Sequence, residues 1–226
     1  MQSPELKITE DGSHTLYVPA IDECYHSTHG AVQESMLIFI QYGLLACTKN
    51  EINILEIGFG TGLNALLTLI EAEKSHKNVR YTTLELYPLE AEKAVILNYP
   101  EVTDTSKRRE FELLHTSEWG QEISVTPGFQ FKKLETDFTQ ADFTAKYDVI
   151  YFDAFSPEKQ PEMWTEDLFR KLHQCSAKNG ILTTYYCKGS VKRALKSAGF
   201  SIEKLPGPAG KREILRAVVS TPPKVL

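Results

Sequence analysis

The sequence predicts an α/β fold with a doubly wound, mostly parallel sheet, an antiparallel strand near the C-terminus, and a small N-terminal hairpin and helix extension. Strand-like and helix-like segments alternate from residue 51 onwards, which is typical of right-handed crossovers in a parallel sheet. Residues 147–152 form a nearly continuous apolar run, as expected of a strand that is buried on both faces.

The composition is that of an ordinary globular protein and excludes disorder, with 226 residues of which 42% are hydrophobic and 24% charged. We expect one structural domain, in which residues 1–50 form an extension packed on a core of residues 51–220. The four cysteines are scattered, and no secretory or membrane-spanning segment is evident. We therefore expect a cytoplasmic protein with reduced thiols and no membrane association. His26 and His29 lack a further ligand cluster, so no metal is expected.

The N-terminal elements follow from turn chemistry and helical spacing. Asp11-Gly12 is a hairpin turn signal inside residues 6–19. Apolar residues at helical spacing predict an amphipathic helix over 31–46.

The remaining elements are assigned by the same periodicities. Strands are predicted over 52–56, 80–85, 129–134, 147–152 and 181–186, and helices over 64–73, 89–98, 106–115, 162–176 and 190–198. The last two strands, 201–205 and 213–219, are joined by a Pro- and Gly-rich loop too short for a crossover helix. These two strands should therefore pair antiparallel.

A glycine loop, Gly58-Phe59-Gly60-Thr61-Gly62, links the first strand of the series to its helix at Asn64. Its spacing fits neither the dinucleotide fingerprint nor the phosphate loop of nucleotide hydrolases. Glu56 would repel a pyrophosphate at the mouth of the loop, but it suits the ammonium of an amino-acid moiety. Glu85 ends the second strand, where a carboxylate can accept from ribose hydroxyls. These features predict S-adenosylmethionine as the cofactor, bound by Glu56, Gly58, Gly60, Gly62, Asn64 and Glu85.

Two further strand ends carry candidate residues. Asp137 can accept from the adenine amino group and Phe138 can cover its ring, although a turn or helix-cap role for Asp137 is equally open. Asp153 ends the most apolar strand, at the sheet edge where ligands bind in this fold class.

The segment Tyr151–Trp164 (YFDAFSPEKQPEMW) is distinctive, and it occurs together with the loop 56–64 and the segments 188–195 and 210–215. These segments resemble the methyltransferase portion of the bifunctional bacterial enzyme that makes 5-methylaminomethyl-2-thiouridine at the tRNA wobble position. The resemblance implies a class I, Rossmann-like, S-adenosylmethionine-dependent methyltransferase acting on the amine of 5-aminomethyl-(2-thio)uridine in tRNA. The bifunctional members also carry an FAD-dependent oxidoreductase half, for which no room is expected here. A separate oxidoreductase or another enzyme should then supply the aminomethyl group.

The requirements of methyl transfer to an amine suggest a role for each residue of this site. Asp153 is the catalytic candidate, because a neutral amine nucleophile must be desolvated and its N–H bonds accepted. The Ser156 turn is expected to help, and Phe155 to stack on the uracil. The net charge of −5 hides a basic segment, 188–216, with eight basic and two acidic residues that suits RNA phosphates. The substrate-binding candidates are Phe155, Lys159, Lys188, Lys211 and Arg212.

Two alternatives remain open at this point. A small-molecule amine methyltransferase or an aminopropyltransferase-like enzyme would share the fold, since a fold does not determine its substrate. A catalytically silent tRNA-binding protein is the third reading, and the intact glycine loop and Asp153 argue against it.

Overall fold

The computed structural model describes residues 3–219, and the chain begins with a small antiparallel sheet. Its strands are β1 (Glu5–Ile8), β2 (His14–Val18) and β3 (Glu23–Cys24). The predicted hairpin is confirmed, with Leu6 paired to Leu16 and Gly12 in the turn at φ 81°. A positive φ at this position is accessible to glycine without steric cost.

The helix predicted over 31–46 is present but is not a regular amphipathic α-helix. It begins as α1 (Ala31–Ser35) and continues as a π-helix over Met36–Leu44, in which the Leu45 N–H donates to the Ile40 carbonyl at 2.9 Å. Its side chains are buried on more than one face because it packs between the central sheet and a neighbouring helix. A one-sided apolar stripe was therefore the wrong description.

The main sheet has eight strands, and its five central ones run parallel. The strands in chain order are β4 (Glu51–Ile57), β5 (Asn78–Glu85), β6 (Glu122–Thr126), β7 (Phe129–Glu135), β8 (Tyr147–Phe152), β9 (Ser176–Thr184), β10 (Ser201–Pro206) and β11 (Glu213–Val218). Their order across the sheet is β10-β11-β9-β8-β4-β5-β7-β6. β11 pairs antiparallel with β10, as predicted, and also with β9. The edge strand β6 was missed because it is short and only half-buried.

The helices cover both faces of this sheet. They are α2 (Leu63–Lys74), α3 (Ala91–Ala94), α4 (Tyr99–Thr103), α5 (Arg108–Thr116), α6 (Glu166–Cys175) and α7 (Gly189–Ser197). One apolar cluster contains α2, α5 and the π-helix, and a second contains α6 and α7. The doubly wound architecture is thereby confirmed, and β8 is buried along its whole length between the two clusters.

Two predicted helices are shorter than expected. The helix over 89–98 is reduced to α3, because Asn98 is bound to the N-terminal hairpin through the His14 N–H at 2.8 Å and the Gly12 carbonyl at 2.9 Å. The helix over 162–176 starts only at Glu166, where Thr165 Oγ1 caps it by accepting from the Leu168 N–H. A separate 3-10 turn, Pro161–Trp164, precedes it.

The N-terminal segment packs against the loop after β8. The Glu23 carboxylate accepts from the Ser156 N–H at 3.2 Å and from the Ser156 hydroxyl at 2.8 Å. Asp22 lies 3.5 Å from Lys159 in an exposed ion pair. The division into residues 1–50 and 51–220 remains a prediction, and residue 220 lies outside the described part.

We expect Glu23→Gln to lower the free energy of unfolding by about 1 kcal/mol, because it weakens two charge-assisted bonds to Ser156. Asp22→Asn is the matched control, and it should change that free energy far less, since exposed ion pairs contribute little. Urea unfolding of both variants measures the difference. Equal losses would contradict the docking role of Glu23.

Candidate active site

A cleft of about 1660 Å³ lies between the N-terminal segment and the loops that follow the parallel strands. The carboxyl ends of parallel strands meet at one edge of a sheet, which is where α/β folds bind ligands. Of the predicted site residues, those lining the cleft are Gly58, Gly60, Glu85, Asp137, Phe138, Asp153, Phe155, Lys159, Lys188, Lys211 and Arg212.

The glycine loop leaves no room for side chains at its three glycines. A Cβ on Gly58 would lie 2.7 Å from the Asp153 carbonyl oxygen, and one on Gly60 would lie 2.8 Å from the Tyr25 ring. Gly62 is in the left-handed region at φ 72° and precedes α2, where a Cβ would lie 2.6 Å from His115 Nε2. The loop 58–62 therefore exposes its backbone at the N-terminus of α2, and we call it the glycine cradle. Gly62 belongs to this loop but does not line the cleft.

Glu85 holds the rim of this cradle. Its carboxylate accepts from the Gly60 N–H and from the Tyr87 N–H, both at 2.9 Å. The carboxylate is thus fixed at the end of β5 and only half-buried. This position agrees with the ribose-binding role predicted for it.

Asp137 and Phe138 lie at the end of β7, where both also have structural partners. Asp137 Oδ1 accepts from the Thr139 N–H at 2.8 Å, so the turn role considered for this residue is present. Phe138 is 3% exposed and packs edge-on against Phe152. Lys171 donates to the carbonyls of Phe138, Thr139 and Ala141. The turn is therefore held rigidly beside the cleft, and the adenine contacts of Asp137 and Phe138 remain predictions.

Glu56 was predicted to lie at the mouth of the loop, but it is fully buried within β4. Neither carboxylate oxygen has a hydrogen-bond partner among the described residues, although the side chains of Thr83, Asn64 and Tyr81 face it. Burial raises the pKa of this carboxyl to about 8. A neutral, buried Glu56 offers little to a ligand ammonium in the cleft.

Asp153 stands where the loop and the cleft meet, and it is held in place from below. Asn64 Nδ2 donates to its Oδ2 at 2.8 Å, and Asn64 itself is buried out of reach of the cleft. Burial raises the pKa of Asp153 to about 7, while the Asn64 hydrogen bond opposes this rise. Such a carboxyl accepts or releases a proton near neutral pH.

The aromatic wall of the cleft combines the N-terminal segment with the loop after β8. The Phe155 ring contacts Tyr25 edge-on, with 5.1 Å between centroids. The Phe155 carbonyl accepts from Trp164 Nε1 at 2.8 Å, which fixes this loop. Ser156, expected to help bind the amine, is instead engaged by Glu23.

The basic substrate candidates are mostly paired with acids. Lys188 lies 2.5 Å from Glu158, Lys159 pairs with Asp22, and the Lys211 ammonium pairs with Glu34. Arg212 is exposed at the rim. The basic segment is therefore less available to phosphates than its count suggests, because acids distant in sequence neutralise part of it.

Sequence reasoning missed two residues of the cleft, Glu34 and Tyr185. Glu34 is a buried acid on α1, and Tyr185 follows β9 and donates its hydroxyl to the Ala154 carbonyl at 3.0 Å. Tyr185 could have been found from its place at a strand end. Glu34 gave no signal, because one glutamate in a helix is unremarkable without its partner.

Comparisons with known proteins agree with this geometry. Residues 121–220 match the family model of an S-adenosyl-L-methionine-dependent methyltransferase. The chain is 30% identical to the tRNA 5-methylaminomethyl-2-thiouridine biosynthesis bifunctional protein MnmC of Magnetococcus marinus, and 30% identical to that of a Marinomonas species. These alignments cover 92% and 95% of this chain but 33% of each relative, so the chain spans about a third of their length. The crystal structure of MnmC2 from Aquifex aeolicus matches with a TM-score of 0.78 at 25% identity, covering 97% of this chain and 71% of that one.

With the glycine cradle, the acidic rim and the family match together, the assignment follows. The fold and the match over residues 121–220 are those of an S-adenosyl-L-methionine-dependent methyltransferase. The predicted class I, Rossmann-like fold and its cofactor are confirmed. The residues fit S-adenosylmethionine, because the loop leaves no space for a Cβ at Gly58 or Gly60, which exposes its backbone to the cleft, and the Glu85 carboxylate is fixed at its rim. Gly58, Gly60 and Glu85 would hold it, with Asp137 and Phe138 further along the edge.

Within residues 3–219, no helix is long and apolar enough to cross a membrane. The same residues contain no group of three or more His, Cys, Asp or Glu side chains arranged to hold a metal ion.

We expect Gly58→Ala to weaken S-adenosylmethionine binding by at least about 10-fold, because the added methyl meets backbone and the φ of 94° is strained for alanine. The matched control is Gly12→Ala, also at a positive φ but with nothing within 4 Å. This control should cost about 1 kcal/mol of stability while changing the Kd less than about 2-fold. Isothermal titration calorimetry measures both, and wild-type affinity in Gly58→Ala would contradict the cradle.

A second expectation concerns Glu56 and the pH dependence of stability. Folded Glu56 keeps its proton up to about pH 8, whereas the unfolded chain loses it near 4.5, so the folded state binds one more proton in between. The free energy of unfolding should therefore fall as pH rises through this window, by up to about 1.4 kcal/mol per pH unit from this group. Glu56→Gln should flatten the decline, as measured by urea unfolding across the window. An unchanged slope would contradict the assignment.

Proposed function

We propose that this chain methylates the primary amine of 5-aminomethyl-(2-thio)uridine at the tRNA wobble position, giving 5-methylaminomethyl-(2-thio)uridine. The observation that carries the proposal is the position of Asp153, a half-buried carboxyl between the glycine cradle and the aromatic wall of one cleft. The relatives are named for tRNA 5-methylaminomethyl-2-thiouridine biosynthesis, which supports the same substrate.

The residues divide the chemistry among them. When bound, S-adenosylmethionine supplies a methyl group activated on a sulfonium, so that the N–C bond forms as the S–C bond breaks. Asp153 accepts an N–H of the substrate amine and orients its lone pair, and it can take up the proton that the amine releases. Asn64 fixes the carboxylate for this role. Because Asp153 must be ionised, activity should fall as pH drops through about 7.

The acceptor side of the cleft suits a nucleoside rather than a bare amine. Phe155, braced by Tyr25 and Trp164, offers a ring on which a uracil stacks. Lys159, Lys188 and Arg212 lie along the same rim and contact RNA phosphates in our proposal. Lys159 and Lys188 would do so by exchanging their exposed acidic partners for phosphate, at little cost.

The other two readings are not favoured. A small-molecule amine methyltransferase or an aminopropyltransferase-like enzyme does not account for relatives named for tRNA modification over most of this chain. A silent tRNA-binding protein does not account for an intact glycine cradle beside an ionisable Asp153.

The proposal places the reaction in a sequence of modifications. Methyl transfer consumes an aminomethyl group that this site does not make, so another active site, a separate oxidoreductase in our proposal, has to supply it. A tRNA-modifying enzyme of this kind would work in the cytoplasm.

The test is incubation with labelled S-adenosylmethionine and tRNA from cells lacking this methylation, followed by nucleoside analysis. We expect labelled methylaminomethyl-(2-thio)uridine, and Asp153→Asn should lower kcat by at least about 100-fold because the base is lost. The Kd for S-adenosylmethionine should change far less in this variant, since Asp153 serves the acceptor. Cofactor binding without transfer to any undermethylated tRNA would overturn the proposed function. Equal losses of turnover and cofactor affinity would make Asp153 a cofactor ligand.

A further inference from the structure

Lys211 and Arg212 are adjacent in the loop between β10 and β11, but their surroundings differ. The Lys211 ammonium pairs with Glu34, lies 4.3 Å from the centroid of the Tyr185 ring, and its side chain is 30% exposed. Arg212 is exposed at the rim of the cleft. The carboxylate and the aromatic face therefore hold the Lys211 ammonium inside the cleft.

Glu34 fixes this arrangement from the N-terminal segment. Its side chain is 9% exposed, and its second oxygen accepts from the Ser27 N–H at 3.1 Å. A carboxylate this buried needs an opposite charge, because an unpaired buried charge is strongly unfavourable. The ion pair thus joins α1 to the C-terminal hairpin directly across the cleft.

Tyr185 links the ion pair to the Asp153 loop, because its ring faces the Lys211 ammonium and its hydroxyl donates to the Ala154 carbonyl at 3.0 Å. The titratable groups that act on Asp153 can be named element by element. Glu34 comes from α1, Glu56 from β4, Tyr185 from the end of β9, and Lys211 from the β10–β11 loop. His26 faces the ion pair, but burial lowers its pKa to about 4 and leaves it neutral. Within the described part of the chain, Lys211 is the cation that faces Asp153.

We infer that Lys211 is a positioning residue for methyl transfer: Glu34 and the face of Tyr185 hold its ammonium inside the cleft, where it favours the carboxylate of Asp153 and does not bind RNA phosphate. This inference rests on the proposed function and reassigns a residue that the sequence placed among the phosphate contacts. In a low-dielectric cleft a nearby cation stabilises a carboxylate far more than it does in water. Glu34 acts in the opposite sense, because its negative charge opposes ionisation of Asp153.

Removing one or the other of these two charges should therefore shift the pKa of Asp153 in opposite directions. Lys211→Met should move the acidic limb of the kcat/KM profile upward by at least about half a pH unit, and Glu34→Gln should move it downward. Lys211→Arg keeps the charge and should restore the wild-type limb. A residue that only held the loop in shape would not shift the limb in two directions with the sign of the charge.

Salt dependence separates Lys211 from its neighbour. Arg212→Met should reduce the slope of log KM for tRNA against log salt by about one, as expected when one phosphate contact is lost. Lys211→Met should leave this slope unchanged while shifting the pH limb. Equal slope reductions in the two variants would overturn the inference.

A readout that does not need activity distinguishes a failure of the inference from a failure of the proposed function. The 13C carboxyl resonance of Asp153, identified by its loss in Asp153→Asn, can be titrated in wild type, Lys211→Met and Glu34→Gln. We expect its midpoint to rise in the first variant and to fall in the second. If Lys211→Met does not fold because Glu34 is left unpaired, the double variant with Glu34→Gln removes both charges, and its midpoint should lie above that of Glu34→Gln alone. Identical midpoints in wild type and Glu34→Gln would overturn the inference, whereas wild-type protein that fails to methylate tRNA would overturn only the proposed function.

Discussion

The pairing of β4 with β8 determines where everything else in the site can be. Ile57 lies opposite Phe152 in this parallel ladder, and the Asp153 N–H extends the ladder by donating to the Ile57 carbonyl at 3.0 Å. The glycine loop leaves β4 at the same level, so that Gly58 passes against the Asp153 carbonyl with no space for a Cβ. The cofactor cradle and the acceptor carboxyl are therefore held together by backbone hydrogen bonds. Their separation does not depend on flexible side chains.

Burial of charge beside this junction then determines the chemistry. Glu56 and Asp153 both have raised pKa values because the sheet edge removes them from water. Glu56 lies deeper, without a hydrogen-bond partner in the described chain, and remains neutral as part of the core. Asp153 differs because Asn64 donates to it and the cleft reaches it. Two carboxyls on neighbouring strands thus acquire different roles through their surroundings alone.

How far the sequence predicted this structure depends on the range of the interactions involved. The parallel core, the glycine cradle, Glu85 and Asp153 follow from local signals, because strand periodicity and strand ends place them at one edge. The π-helix, the shortened α3 and the edge strand β6 were not predictable, since each is determined by packing against residues distant in sequence, as the bonds from Asn98 to the hairpin show. The position of Glu56 was mispredicted because a charged residue next to a glycine loop is normally expected to be exposed, and the sequence does not show that this one is buried.

The ion pairs of the basic residues show a more general limit of sequence reasoning about charge. A segment count treats each lysine as free, whereas the fold pairs Lys188 with Glu158, and Lys211 with Glu34 on a helix that lies 177 residues earlier. The core strands provide the cofactor cradle, and the acceptor side is completed by Glu34 and Tyr25 from the N-terminal segment and by the β10–β11 loop. Since a fold does not determine its substrate, we expect these additions to determine substrate choice. The net charge of a segment therefore says little about RNA binding until the partners of each cation are known.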